Sequence, residues 1–186
     1  MRKGRFIVIS GPSGVGKGTI LERLLKEMNA WYSVSMTTRN IRDGEVDGVN
    51  YYFVSKDEFK KRINEGKFLE YNIYNDNYYG TPKDKVLDKL EEGIDVFLEI
   101  DVNGARNIKN KFNDALLIYI APPSLEILRE RLICRGTEDV DTINNRLKIA
   151  EDELKQLNFY DYVIVNDDLG KAIDSVKNIL KKNYTN

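Results

Sequence analysis

The sequence contains no histidine, and this absence excludes more chemistry than any other feature of its composition. Catalytic triads and dyads that depend on imidazole cannot be built, and neither can metal sites with His ligands. The lone Cys134 excludes an internal disulfide, so we expect a cytoplasmic protein in which this residue only packs a helix. Any chemistry must therefore use Lys, Arg, carboxylates, hydroxyls and backbone amides.

The chain also lacks an excess of one charge and lacks long apolar runs. Its 29 Lys and Arg balance 30 Asp and Glu, for a net charge of −1. A general nucleic-acid binder needs surplus cations to neutralise phosphates, so we expect no nucleic-acid partner. No run approaches the ~20 apolar residues that span a bilayer, and the apolar stretch 6–9 is too short for a signal peptide. We therefore expect no membrane partner.

The 186 residues correspond to roughly one domain, in which short strands and helices alternate. Four short runs are apolar on both faces, as in the buried strands of a parallel sheet: 6–9, 96–100, 116–120 and 162–165. Helical spacing of apolar residues follows the first run and recurs around 82–93, 124–132, 143–157 and 173–180. The prediction is an α/β fold with a parallel sheet core flanked by helices.

Sequence signals also predict where several helices begin and end. Thr81 is expected to cap a helix with Pro82 at its first position, and Ser124 to cap the next one. Leu157 is expected to continue the helix that contains Ile143.

Two stretches interrupt the alternation. Residues 33–81 are polar and turn-rich, and six of the eleven tyrosines lie between Tyr51 and Tyr79. A capping box at Ser55 and Glu58 predicts a short helix there, so we expect a small α+β insertion. Residues 129–146 are charged and show no strand pattern, which predicts a mobile flap.

A phosphate-binding loop follows the first predicted strand directly and precedes a helix, in the order Gly11, Pro12, Ser13, Gly14, Val15, Gly16, Lys17, Gly18 and Thr19. The glycines let amide N–H groups turn toward phosphate oxygens, the helix dipole adds positive potential, and Lys17 reaches the outer phosphates. The usual Ser or Thr after the lysine is replaced by Gly18, with Thr19 one residue later. We therefore expect Mg²⁺ to be held mainly by nucleotide phosphates and water.

The loop by itself indicates only a nucleoside triphosphate. Regulatory GTPases would carry an N-K-x-D box, which this sequence lacks, and its length leaves little room for motor machinery. A small kinase remains, in which the inserted stretch binds the acceptor.

Motifs along essentially the whole chain resemble those of the guanylate kinase family. They include Ser35-Met36-Thr37-Thr38-Arg39, Asn77-Tyr78-Tyr79-Gly80-Thr81, Glu99-Ile100-Asp101, Arg135-Gly136-Thr137 and Ile164-Val165-Asn166-Asp167-Asp168. The resemblance implies transfer of the γ-phosphoryl group from ATP to GMP, and also to dGMP, with Mg²⁺. It also implies a single domain with core 1–32, 82–124 and 147–186, a GMP-binding insertion 33–81 and a helical lid 125–146.

The resemblance also assigns roles to individual residues. Those placed on the GMP phosphate are Arg39, Arg42, Tyr51 and Tyr79, since guanidinium forks meet phosphate oxygens bidentately. Those placed on guanine are Ser35, Glu70, Thr81 and Asp101, because carboxylates accept from N1–H and the N2 amino group while hydroxyls donate to O6. Glu99 is expected to orient the attacking phosphate or a Mg²⁺-bound water.

Arginines of the lid are implied to stabilise the transferring phosphoryl group together with Lys17 and Arg39, namely Arg131, Arg135 and Arg146. Asn166 and Asp167 are expected near the ATP base. The resemblance further suggests a monomer or weak homo-oligomer that acts in purine nucleotide metabolism and GMP recycling.

Other readings of the same residues stay open at this point. The Gly16-Lys17-Gly18-Thr19 run is similar to that of adenylate kinases, although Glu70 and Asp101 favour guanine. A non-catalytic scaffold on the same fold is disfavoured by the intact Gly11, Gly16 and Lys17. A hydrolase that uses Glu99 and Asp101 as paired acids is disfavoured by the phosphate loop.

Overall fold

The computed structural model describes residues 3–74, 76–136 and 139–183. Predictions that fall on the remaining positions, including Thr137 of the quoted motif, lie outside the described residues. The strands are β1 (Phe6–Ser10), β2 (Ala30–Tyr32), β3 (Met36–Thr37), β4 (Tyr52–Phe53), β5 (Phe68–Tyr74), β6 (Asn77–Pro82), β7 (Asp95–Glu99), β8 (Leu116–Ala121) and β9 (Tyr162–Val165). The helices are α1 (Lys17–Glu27), α2 (Lys56–Asn64), α3 (Lys83–Glu91), α4 (Val102–Lys111), α5 (Leu125–Arg135), α6 (Val140–Leu154) and α7 (Leu169–Lys182), with a 3₁₀ turn at Leu157–Phe159.

Within these ranges the strands form two sheets. The larger has the order β2-β7-β1-β8-β9, and the smaller has the order β4-β3-β6-β5. Both β2–β7 and β8–β9 pair in parallel. Strand β8 is buried at every position, as expected for a strand covered on both faces. The predicted α/β fold with a parallel sheet core and flanking helices is confirmed.

The chain divides into two compact units. The first comprises 1–8, 29–99 and 103–115, and the second comprises 9–28, 100–102 and 116–186. The predicted division into core, insertion and lid is a different partition, and it stays a prediction.

An aromatic cluster holds α2 against the smaller sheet in the first unit. Phe59 is fully buried, and its ring centroid lies 4.4 Å from that of Phe68 and 5.2 Å from that of Tyr78. Helix α2 begins at its cap Ser55, whose hydroxyl accepts from the Glu58 amide at 3.1 Å. The helix and strands predicted for stretch 33–81 are therefore present.

In the second unit, helix ends follow the expected capping chemistry. Ser124 caps α5 by accepting from the Ile127 amide at 3.3 Å, and Gly136 ends it with a φ of 66°. Asp139 and Asp168 cap α6 and α7 in the same way. The caps of α5 and α6 fix the start of the two helices that bear the predicted lid arginines.

Three local predictions are wrong, and one helix was missed. Thr81 does not cap α3, because it lies in strand β6 and its hydroxyl is bonded to Glu70; Pro82 takes the cap position. Leu157 lies in the 3₁₀ turn, since α6 ends at Leu154. Cys134 is exposed rather than packed. Helix α4 was not predicted, and it follows β7 almost directly.

Candidate active site

The turn between β1 and α1 can be made only with glycine at its critical positions. Gly11 has a φ of 144°, and a Cβ atom there would lie 2.2 Å from the carbonyl oxygen of Ile120. Gly16 has a φ of 96°, and its Cβ would lie 2.7 Å from the side-chain nitrogen of Asn166. Side chains at these positions would push the loop out of its conformation.

Helix α1 presents a positive N-terminus to this loop. Its cap residue Gly16 has no side chain to bond the first-turn amides, and that turn carries no acidic residue. The Lys17 ammonium folds over the loop and donates to the carbonyl oxygens of Gly11 at 2.7 Å and Pro12 at 3.0 Å. Amides, dipole and ammonium together form a site for phosphate oxygens. Gly18 and Thr19 are exposed on the first turn.

The loop is tied to the last strand and to the predicted lid. Asn166 donates to the carbonyl oxygen of Val15 at 2.7 Å, and Arg131 donates to the Asn166 carbonyl oxygen at 2.9 Å. Arg146 donates to the Ser13 hydroxyl. The structure thus brings Arg131, Arg146 and Asn166 to the phosphate loop, whereas Arg135 is exposed at the end of α5.

Among the predicted site residues of the first unit, Arg39 is the cation with the most hydrogen bonds to a carboxylate. Its guanidinium meets both carboxylate oxygens of Glu45, at 2.8 and 2.9 Å, and Glu45 also accepts from the Arg42 amide at 2.8 Å. Glu45 raises the pKa of Arg39, and Arg39 in turn lowers the pKa of Glu45. Sequence reasoning assigned no role to Glu45. The sequence shows no spacing rule that pairs it with Arg39, because the two lie in an irregular loop.

Aromatic rings surround the Arg39 guanidinium. Its central carbon lies 5.4 Å from the ring centroid of Tyr51 and 5.6 Å from that of Phe53, within cation–π range. Tyr51 and Tyr79 are edge to face at 6.0 Å. Burial, followed by Glu99, raises the pKa of Tyr51 to about 12, so its hydroxyl stays a hydrogen-bond donor at neutral pH. The structure therefore groups Arg39, Tyr51 and Tyr79, while the side chain of Arg42 is exposed nearby in the chain.

A buried polar pair joins β5 and β6. Glu70 and Thr81 are 5% and 0% exposed, and the Thr81 hydroxyl donates to Glu70 Oε1 at 2.6 Å. A register shift between Phe68 and Glu70 sets Glu70 opposite Thr81, and such a bulge lets Leu69 and Glu70 both point inward. A buried carboxylate needs hydrogen-bond donors, and guanine offers two on one edge.

The other residues that were predicted to bind GMP are distributed over both units. Ser35 is buried in the first unit, next to β3, and Glu99 ends β7 there. Asp101 belongs to the second unit, just after β7. A cavity of about 360 Å³ in the first unit includes Glu70 in its wall, together with Ile63, Gly66, Phe68, Tyr71, Asn107 and Lys111.

Comparison with known proteins decides the family. The sequence model of the family described as guanylate kinase matches residues 3–183. The chain belongs to the guanylate kinase family.

Individual relatives agree with this assignment. The chain is 49% identical over 183 residues to a guanylate kinase of Oceanobacillus iheyensis, a match that covers 98% of this chain and 89% of that protein. The crystal structure of guanylate kinase from Anaplasma phagocytophilum is similar with a TM-score of 0.81 at 35% identity, covering 98% of this chain and 87% of that one. The chain is a nucleoside monophosphate kinase of the guanylate kinase type, an enzyme that transfers a phosphoryl group from ATP to GMP.

Two further observations concern metals and membranes. Within residues 3–74, 76–136 and 139–183, no three acidic or Cys side chains gather in a way that could hold a metal ion. No helix in the same part of the chain is long and apolar enough to cross a bilayer.

Proposed function

We propose that this guanylate kinase binds the phosphates of ATP with residues 11–19. We further propose that it binds the phosphate of GMP with Arg39, Arg42, Tyr51 and Tyr79. The observation that carries the proposal is the phosphate loop with Lys17 folded over it. A scaffold protein has no use for an ammonium held over a phosphate-binding turn, whereas a kinase needs this cation at the transferring group.

Each group of residues then has one task. Lys17, Arg131, Arg135 and Arg146 balance the charge that spreads over the γ-phosphate oxygens in the transition state. Arg39, Arg42, Tyr51 and Tyr79 hold the GMP phosphate as charge-assisted and hydroxyl donors. Glu99 orients that phosphate for attack, and Asn166 supports the ATP side of the site through its bond to Val15.

Base recognition is assigned to Ser35, Glu70, Thr81 and Asp101. Glu70 accepts from a donor edge that guanine has and adenine lacks, so with AMP the buried carboxylate would lose the donors that guanine supplies. The proposed contacts address the base and the phosphate but not the 2′ position of the sugar. We therefore propose that dGMP is also a substrate.

Mg²⁺ is proposed to enter with ATP. The described residues offer no cluster of three acidic ligands, which fits an ion held mainly by phosphate oxygens and water. When bound, it would neutralise phosphate charge and orient the β and γ groups.

The setting of the enzyme is proposed on its composition and family. The reaction fits purine nucleotide metabolism and the recycling of GMP. The single cysteine fits the cytoplasm, and the net charge of −1 fits small-molecule partners rather than nucleic acid. We propose a monomer or weak homo-oligomer with no membrane partner.

A coupled ADP-release assay tests the proposal. ATP and Mg²⁺ are combined in turn with GMP, dGMP, AMP and UMP, and one GMP reaction contains EDTA. GMP and dGMP should turn over, AMP and UMP should show kcat/KM at least about 100-fold lower, and EDTA should abolish the rate. Equal rates with GMP and AMP would support the adenylate alternative. No ADP release with any acceptor would support a scaffold.

A further inference from the structure

Helix α6 carries two charged residues on the face that packs inward. Ile143, Arg146, Ala150 and Glu153 recur at helical spacing along one stripe, and Ile143 and Ala150 are 5% and 0% exposed. Arg146 and Glu153 are half-buried, although apolar residues normally occupy such positions. Arg146 already has a partner in the phosphate loop, at Ser13. Glu153 lies two turns further along and has no role in the proposed reaction.

Three groups outside α6 act on the Glu153 carboxylate. Tyr119 on β8 donates its hydroxyl to Glu153 Oε2 at 3.4 Å. Lys17 on α1 favours the ionised carboxylate, and Asp101, after β7, opposes it. All of these residues belong to the second unit.

Tyr119 makes this arrangement rigid. Its side chain is 0% exposed, and its ring packs edge to face against Tyr160 with centroids 5.1 Å apart. The position of the ring is therefore fixed, and its hydroxyl offers a hydrogen-bond donor to the carboxylate from a defined place on β8. Burial raises the pKa of Glu153 to about 6, so the group is mainly ionised at neutral pH.

We propose that Glu153 is a positioning residue of the ATP-phosphate site, which balances the charge of Lys17 and anchors α6 so that Arg146 stays at the loop. Without this carboxylate, Lys17 would lose a negative charge that acts on it, and α6 would lose its contact with Tyr119 on β8. Lys17 and Arg146 would then be less well placed for phosphate oxygens. The inference rests on the proposed role of residues 11–19 as the ATP-phosphate site.

Glu153→Gln tests the proposal, with Glu151→Gln as the matched control. Glu151 is exposed on the same helix and contacts only Lys155 among the described ion pairs. At pH 7.5, kcat/KM for ATP should fall roughly 10- to 100-fold in Glu153→Gln, since small displacements of catalytic groups have effects of this size. KM for GMP should stay within twofold, because the predicted phosphate clamp lies in the other unit. Glu151→Gln should match wild type in both constants.

The pH profile separates a positioning role from a structural one. Titration of ATP itself affects all variants alike, so the ratio of wild type to Glu153→Gln is measured from pH 5 to 8. The ratio should decline as pH falls through about 6, where the wild-type carboxylate takes up a proton. A constant ratio across this range would overturn the proposal.

Thermal unfolding and a second variant exclude a trivial loss of fold. An ionised group whose pKa is raised in the folded state opposes folding at neutral pH, so Glu153→Gln should not lower Tm at pH 7.5. Tyr119→Phe removes the hydroxyl that holds the carboxylate and should reduce kcat/KM for ATP about 3- to 10-fold. Wild-type activity in Glu153→Gln and in Tyr119→Phe would overturn this inference but not the proposed function. Absence of GMP-dependent ADP release in the wild-type enzyme would overturn the proposed function.

Discussion

Single residues of the candidate site are held by partners that orient them before any nucleotide arrives. The Arg39–Glu45 ion pair is the clearest case, because both oxygens of the carboxylate meet the guanidinium and the Arg42 amide adds a third bond. A guanidinium held in this way presents its remaining face in a fixed direction. We therefore expect Glu45 to affect GMP binding through Arg39.

Glu45→Gln should raise KM for GMP by roughly 3- to 10-fold, because an amide accepts only one of the two charged bonds. KM for ATP, measured with saturating GMP, should not change. Steady-state kinetics check this, with Glu22→Gln as a control that breaks an exposed ion pair to Lys26 on α1. An unchanged KM for GMP would show that Arg39 does not depend on its partner.

The same pair predicts a pH effect on stability. The pKa of Glu45 is lowered in the folded state, so its contribution is fully present above the ordinary carboxyl value of 4.5 and is lost as pH falls through the lowered pKa. The difference in Tm between wild type and Glu45→Gln should therefore shrink below about pH 4.5. A difference that is constant from pH 7 to 3 would contradict this reasoning.

The phosphate loop, as an element, depends on the backbone freedom of its glycines. Gly11→Ala would force a side chain into a φ of 144° and against the Ile120 carbonyl oxygen. Backbone strain of this kind costs on the order of 1–3 kcal/mol, which corresponds to a fall in Tm of roughly 2–12 °C. Calorimetry checks this. Gly170→Ala is the comparison, because residue 170 lies in helix α7, where alanine is favoured, and its Cβ would meet only the capping oxygen of Asp168 at 3.3 Å. Its Tm should therefore not fall as that of Gly11→Ala does. Equal Tm values for both variants would contradict the account of the loop.

Elements differed in how well the sequence predicted them. Strands β1, β7, β8 and β9 were predicted within one residue at their ends because they are apolar on both faces. The three-residue β2 is half-buried and shows neither a run nor an alternation. The bulge before Glu70 depends on the pairing of β5 with β6, so no local sequence pattern predicts it. Thr81 matched the pattern of a helix cap, but in the structure it lies in β6 and its hydroxyl bonds to Glu70.

Site residues, too, were predictable where a local pattern marks them and were missed where only tertiary contacts do. The loop 11–19 was predictable because its glycines and lysine are consecutive in the chain. Arg146 and Asn166 were assigned to the ATP side through the family resemblance, and the structure shows contacts of both with the loop. Glu45 and Glu153 were missed, because their importance lies in contacts with distant or irregularly spaced partners. Such pairs appear only once the chain is folded.

For the whole molecule, the predicted donor residues and most of the predicted acceptor residues belong to different compact units. Lys17→Ala should therefore lower kcat by about 10²- to 10³-fold while leaving the Kd for GMP within twofold. Turnover and calorimetric GMP binding are measured on the same preparation, with Lys26→Ala as an exposed control on α1. Turnover within threefold of wild type would exclude Lys17 from the chemistry.

The measurement that tests most directly whether the enzyme selects guanine through Glu70 is kcat/KM for GMP, IMP and AMP in wild type and Glu70→Gln. IMP keeps N1–H but lacks the N2 amino group, so wild type should rank GMP above IMP and IMP above AMP. Losing a charge-assisted bond costs about 1.5–3 kcal/mol, so Glu70→Gln should lower kcat/KM for GMP about 10- to 150-fold. Its activity with AMP should stay level or rise, because adenine supplies no N1–H donor for a buried carboxylate to lose. Equal losses with GMP and AMP would contradict this and would show that Glu70 supports the fold through Thr81 rather than reading the base.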